Sequence, residues 1–144
     1  LDDAAANDGF NLVTQQTAEW NAEKAQQIVQ SVIDAGTPFN VIYAENDDMA
    51  KGAVAALDKA NISHGVGKDV IVMGFDCNKW ALEELKAGNW NYDGQCNPFQ
   101  ASYIDEIIKK LENGETISEK TIIMDEKGFD ATTITQEDVD NYGI

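Results

Sequence analysis

Val41-Ile-Tyr-Ala-Glu-Asn-Asp-Asp-Met-Ala-Lys-Gly-Ala53 reads as a strand, a sharp polar turn and a helix. Val41 to Ala44 is a short apolar run of strand formers, bounded upstream by Gly36 and Pro38. After Asp47 the apolar positions Met49, Ala53, Ala56, Leu57 and Ala60 recur at helical spacing. Asp47 stands at the expected N-cap, where a carboxylate can meet orphan N–H groups. Asn46 is thereby left at the carboxyl end of a strand. In an open parallel sheet that edge is where ligands bind. An amide there offers one acceptor and two donors, a match for vicinal hydroxyls.

Working outward, the same alternation repeats. Leu1 to Ala6 reads as a helix end closed by Asn7, Asp8 and Gly9, and Phe10 to Thr14 as a strand. Asn21 caps a helix carrying Ala25, Ile28, Val29, Val32 and Ile33 on one stripe, which Gly36 ends. Val70 to Gly74 is a strand, Asp76 to Asn78 a turn, and Trp80 to Leu85 a helix stopped by Gly88. Tyr92 to Gln95 is a strand, and Asn97-Pro98 opens a helix expected to bury Ile104, Ile107, Ile108 and Leu111. Ile122 to Met124 reads as a further strand, Asp125 to Ile134 as a polar connector. Thr135 with Asp138 has capping-box spacing for a last helix near Tyr142, with Asp in place of the usual Glu or Gln. Strand and helix alternate with short loops, which predicts an α/β domain: a parallel sheet with right-handed crossovers, covered on both faces.

Four side chains fall at successive strand ends: Trp20, Asn46, Asp76 and Gln95. An indole, two amides and a carboxylate on one rim suit a sugar. Planar polar groups hold its hydroxyls, and an aromatic face packs on its C–H side. Each residue also has a plainer reading. Asn46 fits a turn, Asp76 a helix cap and Trp20 core or surface packing, while Gln95 alone says nothing.

Three segments carry a family likeness. Asn46-Asp-Asp-Met-Ala-Lys-Gly-Ala53, Val72-Met-Gly-Phe-Asp76, and Leu85-Lys-Ala-Gly-Asn-Trp90 followed by Gln95-Cys-Asn-Pro98 resemble, in order and spacing, segments of the sugar-binding proteins of ABC transporters of the ribose/galactose type. The resemblance covers nearly the whole chain but only the C-terminal of that family's two lobes. It implies one lobe of a type I periplasmic-binding-protein fold, three-layer αβα and flavodoxin-like, over residues 1–144 as a single domain. It implies ligand contacts by Trp20, Asn46, Asp76 and Gln95, with no catalytic residue, metal or cofactor. It further implies capture of a monosaccharide in an interlobe cleft, permease subunits of an ABC transporter as partners, and an extracytoplasmic location, in the periplasm or as a lipoprotein at the cell surface. Glu19-Trp20-Asn21 departs from the family's usual residues around that aromatic. The Arg that clamps sugar oxygens in the family would lie before Leu1, as would the other lobe. Cys96-Asn97-Pro98 resembles the galactofuranose-binding branch. The alternative is the effector core of a LacI-type repressor, which shares the first two segments. The acidic charge and the Leu85–Trp90 stretch stand against it.

The chain has 144 residues and a formal net charge of −16, from 26 acids and 10 bases. Such a surface repels phosphate backbones and anionic lipid, so nucleic-acid and membrane-surface partners are disfavoured. No stretch approaches the roughly 18 apolar residues of a membrane span. The start at Leu1 rather than Met reads as a piece cut from a longer protein, with N-terminal lobe and signal peptide outside this sequence. One histidine and two cysteines exclude a Cys/His metal cluster within the chain. A Cys77–Cys96 disulfide is geometrically open, two buried free thiols being the plainer reading. His64 in Ser63-His64-Gly65 has no partner acid marked for catalysis and reads as solvated loop. Gly65-Val-Gly67 lacks the Lys and Ser/Thr of a phosphate loop. Exposure of a cleft face predicts self-association of a one-lobe chain.

Overall fold

The computed structural model describes residues 8–144, so the helix end read at Leu1–Ala6 lies outside them. The elements are α1 (Ala22–Asp34), β1 (Val41–Tyr43), α2 (Asp47–Lys59), β2 (Ile71–Asp76), α3 (Lys79–Lys86), β3 (Tyr92–Gln95), α4 (Ala101–Glu112), β4 (Gly128–Asp130) and α5 (Gln136–Tyr142). The sheet order is β1-β2-β3-β4. The first three strands run parallel, as expected of strands joined by crossover helices. β4 returns antiparallel to β3 and makes the sheet mixed.

Local chemistry explains the helix starts. Asn21 is extended, and its Oδ1 accepts the Lys24 N–H at 2.9 Å, opening α1. Asn46, not Asp47, is the N-cap of α2: its Oδ1 accepts the Met49 N–H at 2.9 Å. The expectation for Asp47 is one residue out, because Asn46 is the residue with extended backbone there. Thr135 and Asp138 form a reciprocal capping box on α5. Gly36, at φ +67°, turns the chain out of α1.

Alternation assigns the sheet faces. Ile42, Val72, Gly74, Asp93 and Phe129 share the face that α2 and Trp90 cover. α1 packs on α2 so closely that a Cβ at Gly52 would meet the Ala22 carbonyl oxygen at 2.0 Å. α5 packs on α3. Leu57, Val72, Leu82, Leu85 and Val139 are fully buried in this core; each such side chain contributes about 1.5–3 kcal/mol by leaving water. The opposite face carries Val41, Tyr43, Ile71 and Met73, with Tyr43 and Tyr92 flanking Phe75 at 5.2 and 6.3 Å between ring centroids. Val41, Tyr43 and Ile71 stay exposed there among the described residues.

Three expectations are corrected. Phe10–Thr14 is not a strand; no described backbone hydrogen bond joins it to β1, and a cavity of about 760 Å³ lies along both segments. Apolar β-formers alone do not make a strand without a ladder partner. Ile122–Met124 is likewise unpaired, and the pairing segment is Gly128–Asp130, inside the stretch read as a connector. Finally, α4 buries none of its residues: Ile104, Ile108 and Leu111 are exposed. Its stripe has the right period, but among the described residues nothing packs on it closely enough to bury a side chain.

Candidate functional site

The carboxyl ends of β1, β2 and β3 form one rim. Asp76 closes β2 and Gln95 closes β3, and the two are direct partners in the ladder. Asn46 follows β1 by three residues at the start of α2. The Asp76 carboxylate accepts the backbone N–H of Asp47, next to Asn46, so it lies at the α2 N-terminus. Burial nonetheless holds the Asp76 carboxyl above the usual carboxylate range, with Asp48 adding like-charge repulsion.

Both amides are oriented by the backbone. The Met49 N–H takes Asn46 Oδ1, and the Lys127 N–H takes Gln95 Oε1 at 3.2 Å. Only the oxygen of an amide can accept, so the NH2 ends are left for the rim. Neither NH2 has a hydrogen-bond partner among the described residues, and the Asp76 carboxylate belongs to the same rim. That arrangement matches a pair of neighbouring hydroxyls, each of which can donate and accept.

Backbone geometry at the rim is strained. Asp76 has φ +125° and Cys77 φ +62°, values that residues with a Cβ seldom adopt. The chain here is held from several sides. Asn78 donates its N–H at 2.8 Å and its Nδ2 at 3.1 Å to Asp47 Oδ2, and the Ile144 N–H donates to the Cys77 carbonyl at 3.1 Å.

Trp20 stands apart from the other three. It is 65% exposed, at φ +58°, and lines the cavity beside Phe10–Thr14 and β1. Glu45, the neighbour of Asn46, lines the same cavity, whereas Asp76 and Gln95 do not. The structure therefore brings Asn46, Asp76 and Gln95 together and sets Trp20 at a neighbouring opening.

Sequence reasoning missed the residues beneath the rim. Asp47 and Asp93 are fully buried carboxyls. Burial pushes both up, to about 6 for Asp47 and about 8 for Asp93, which also meets the Asp47 charge. The available signal was an Asp inside Tyr92-Asp-Gly-Gln95, since Asp is depleted in strands. Cys77 is buried with its thiol pushed up by burial, and it donates weakly to Asp93 Oδ1 at 3.8 Å. Both cysteines are free, but Cys96 is exposed rather than buried. His64 is not solvated loop: its ring nitrogens meet Asn89 O at 2.9 Å and Asp58 Oδ1 at 3.1 Å, tying its loop to the last turn of α2 and to the loop after α3.

Comparison with known proteins places the chain. The family model of the periplasmic binding protein domain matches residues 2–116. The fructose import binding protein FruE of Bifidobacterium longum (strain NCC 2705) is 31% identical over 90% of this chain and 38% of its own length. The ribose import binding protein RbsB of Bacillus subtilis (strain 168) is 32% identical over 56% of this chain and 25% of its own. An ABC transporter periplasmic solute binding protein from Actinobacillus succinogenes 130z, solved with bound D-allose, shares 30% identity at a TM-score of 0.73, over 90% of this chain and 43% of its own. A galactofuranose binding protein superposes at a TM-score of 0.83 over 98% of this chain and 48% of its own; at 21% identity it shows the fold alone. The chain thus spans less than half the length of these relatives. On the matched residues 2–116 and the αβα fold it shares with the solved structures, the chain belongs to the periplasmic binding protein domain family.

Proposed function

We propose that this chain is the C-terminal lobe of a two-lobe solute-binding protein. It captures a monosaccharide for import through an ABC transporter permease, outside the cytoplasm. The role is binding without chemistry. Asn46, Asp76 and Gln95 hold ring hydroxyls, and Trp20 packs on a C–H face when the second lobe closes the cleft. Closure shifts a population toward the liganded state. The observation that supports this reading is that Asn46, Asp76 and Gln95 stand at or just past the ends of three parallel strands, with both amide oxygens taken by backbone N–H groups. The named relatives, import proteins for fructose and ribose and a protein with bound D-allose, support a monosaccharide as the ligand class. The chain's share of their length, together with the uncovered apolar stripe of α4, supports a second lobe as the missing packing partner. Calorimetric titration of the parent protein with pentoses, hexoses and their furanose forms tests it. Binding at micromolar or tighter affinity to one of them is expected; heat-silent mixing with all of them overturns the assignment.

A further inference from the structure

Gly74 and Asp93 are ladder partners, so they face the same side of the sheet, toward α2. A Cβ on Gly74 would meet Asp47 Oδ1 at 2.7 Å. The Asp47 carboxyl therefore reaches over the bare glycine toward β3. The Asp47 and Asp93 side chains are within hydrogen-bond reach of each other. Asp47 Oδ1 and Asp93 Oδ2 have no other partner, and both residues are fully buried. Two buried carboxylates facing each other cannot both be ionised cheaply; one proton between them removes the repulsion and satisfies both oxygens.

We propose that Asp47 and Asp93 share one proton, and that this bond, by fastening the first turn of α2 to β3, positions Asn46 and Asp76 at the rim. The proton resides on Asp93. Asp47 receives two bonds from Asn78, which favour its charged form, while Asp93 receives the Cys77 N–H and a long contact from its thiol. Asp47 is bonded at both ends of the rim turn: through its carboxylate to Asn78 and through its N–H to Asp76. The other acid acting on the pair, Asp76 at the end of β2, is of like charge and favours keeping the proton. Lys79 at the start of α3 pairs with Asp140 of α5 at 3.3 Å, and among the described residues no basic group acts on either carboxyl. The groups at the pair are thus Asp76 and Cys77 from β2 and its turn, and Asn78 at the start of α3.

The positioning role rests on the sugar-binding reading only where affinity is measured, and the experiment separates the two. The carboxyl 13C signals of the intact 144-residue chain are followed by NMR from pH 4 to pH 10. Asp93 is expected to titrate near pH 8, with the Asn46 side-chain NH2 signals moving at the same midpoint. Asp93 titrating in the ordinary aspartate range, or Asn46 unmoved while Asp93 titrates, overturns the proposal. Asp93→Asn places a permanent N–H donor toward Asp47, and its thermal midpoint is expected to lose the part of the wild-type decline between about pH 6 and about pH 8, which Asp93 carries. An unchanged decline counts against the shared proton. In the parent protein, monosaccharide affinity is expected to fall about tenfold once the shared proton is gone, the equivalent of about one pKa unit. Absence of binding at every pH sinks the sugar reading and leaves the NMR result to decide the proton. Affinity that is flat through the Asp93 midpoint overturns the positioning role.

Discussion

The amide of Asn46 divides its two ends: Oδ1 caps α2 through the Met49 N–H, and Nδ2 has no hydrogen-bond partner among the described residues. Asn46→Asp preserves the capping oxygen and removes the donors. Thermal unfolding of this variant is expected within about 0.5 kcal/mol of the parent chain, since Asp caps as well as Asn. Its monosaccharide affinity, read by calorimetry in the parent, is expected to fall at least about tenfold, or ~1.4 kcal/mol, for a lost hydrogen bond to a buried hydroxyl. Equal losses from Asn46→Ala and Asn46→Asp would fit the same division only if Asn46→Ala also loses about 1 kcal/mol of stability in urea. Gly74→Ala probes the layer beneath. Its methyl would lie 2.7 Å from both Asp47 Oδ1 and the Trp90 ring, so a loss of about 1–3 kcal/mol in urea unfolding is expected from overpacking. At this scale the rim was partly legible. Asn, Asp and Gln at strand ends are visible in sequence because strand ends are punctuated by polar turns. The burial of Asp47 and Asp93 was not, because a carboxyl in a core depends on what packs over it from α2 and β3, elements that are distant in sequence.

Helix α4 and helix α3 make a contrast in what an apolar stripe is for. Leu85 of α3 is fully buried, and Ile108 of α4 is 48% exposed. Leu85→Ala is expected to cost about 2–5 kcal/mol in urea unfolding of this chain, by cavity formation. Ile108→Ala is expected to stay within about 0.5 kcal/mol, as for a surface position. If Ile108→Ala destabilises the longer parent but not this chain, the partner of α4 lies in the remainder of that protein. The period of α4 was legible, and its Asp105–Lys109 and Glu106–Lys110 pairs are those of a helix surface. Its lack of a packing neighbour was not, since periodicity marks a face without naming what covers it. β4 escaped for a related reason. Gly128-Phe-Asp130 has poor strand propensity, and it becomes a strand only because β3 offers an edge.

Charge and uncovered apolar surface oppose each other over the whole molecule. The net charge of −16 favours separation. Val41, Tyr43 and Ile71 on the sheet, and Ile104, Ile108 and Leu111 on α4, favour association. Sedimentation is expected to show self-association that strengthens as salt rises from low to about 0.5 M, where the Debye length drops to a few ångströms. A monomer at high concentration in all salts would refute this. Stability has its own pH trend. Asp47 and Asp93 bind protons more tightly folded than unfolded, because burial raises both. Their stabilisation is complete below the unfolded value of 3.8 and is lost as pH rises to about 8, so the thermal midpoint should decline across that window and level off above it. Sequence by itself determined the alternation of strand and helix, the caps at Asn21 and Thr135, and the polar residues closing each strand, because these rest on spacings of a few residues. Tertiary structure alone decided that Phe10–Thr14 stays unpaired, that β4 runs antiparallel, that α4 is uncovered, and that two acids meet beneath the rim. Each of those outcomes depends on which surfaces find a partner across the fold, and contact between distant segments leaves no periodic mark in the chain.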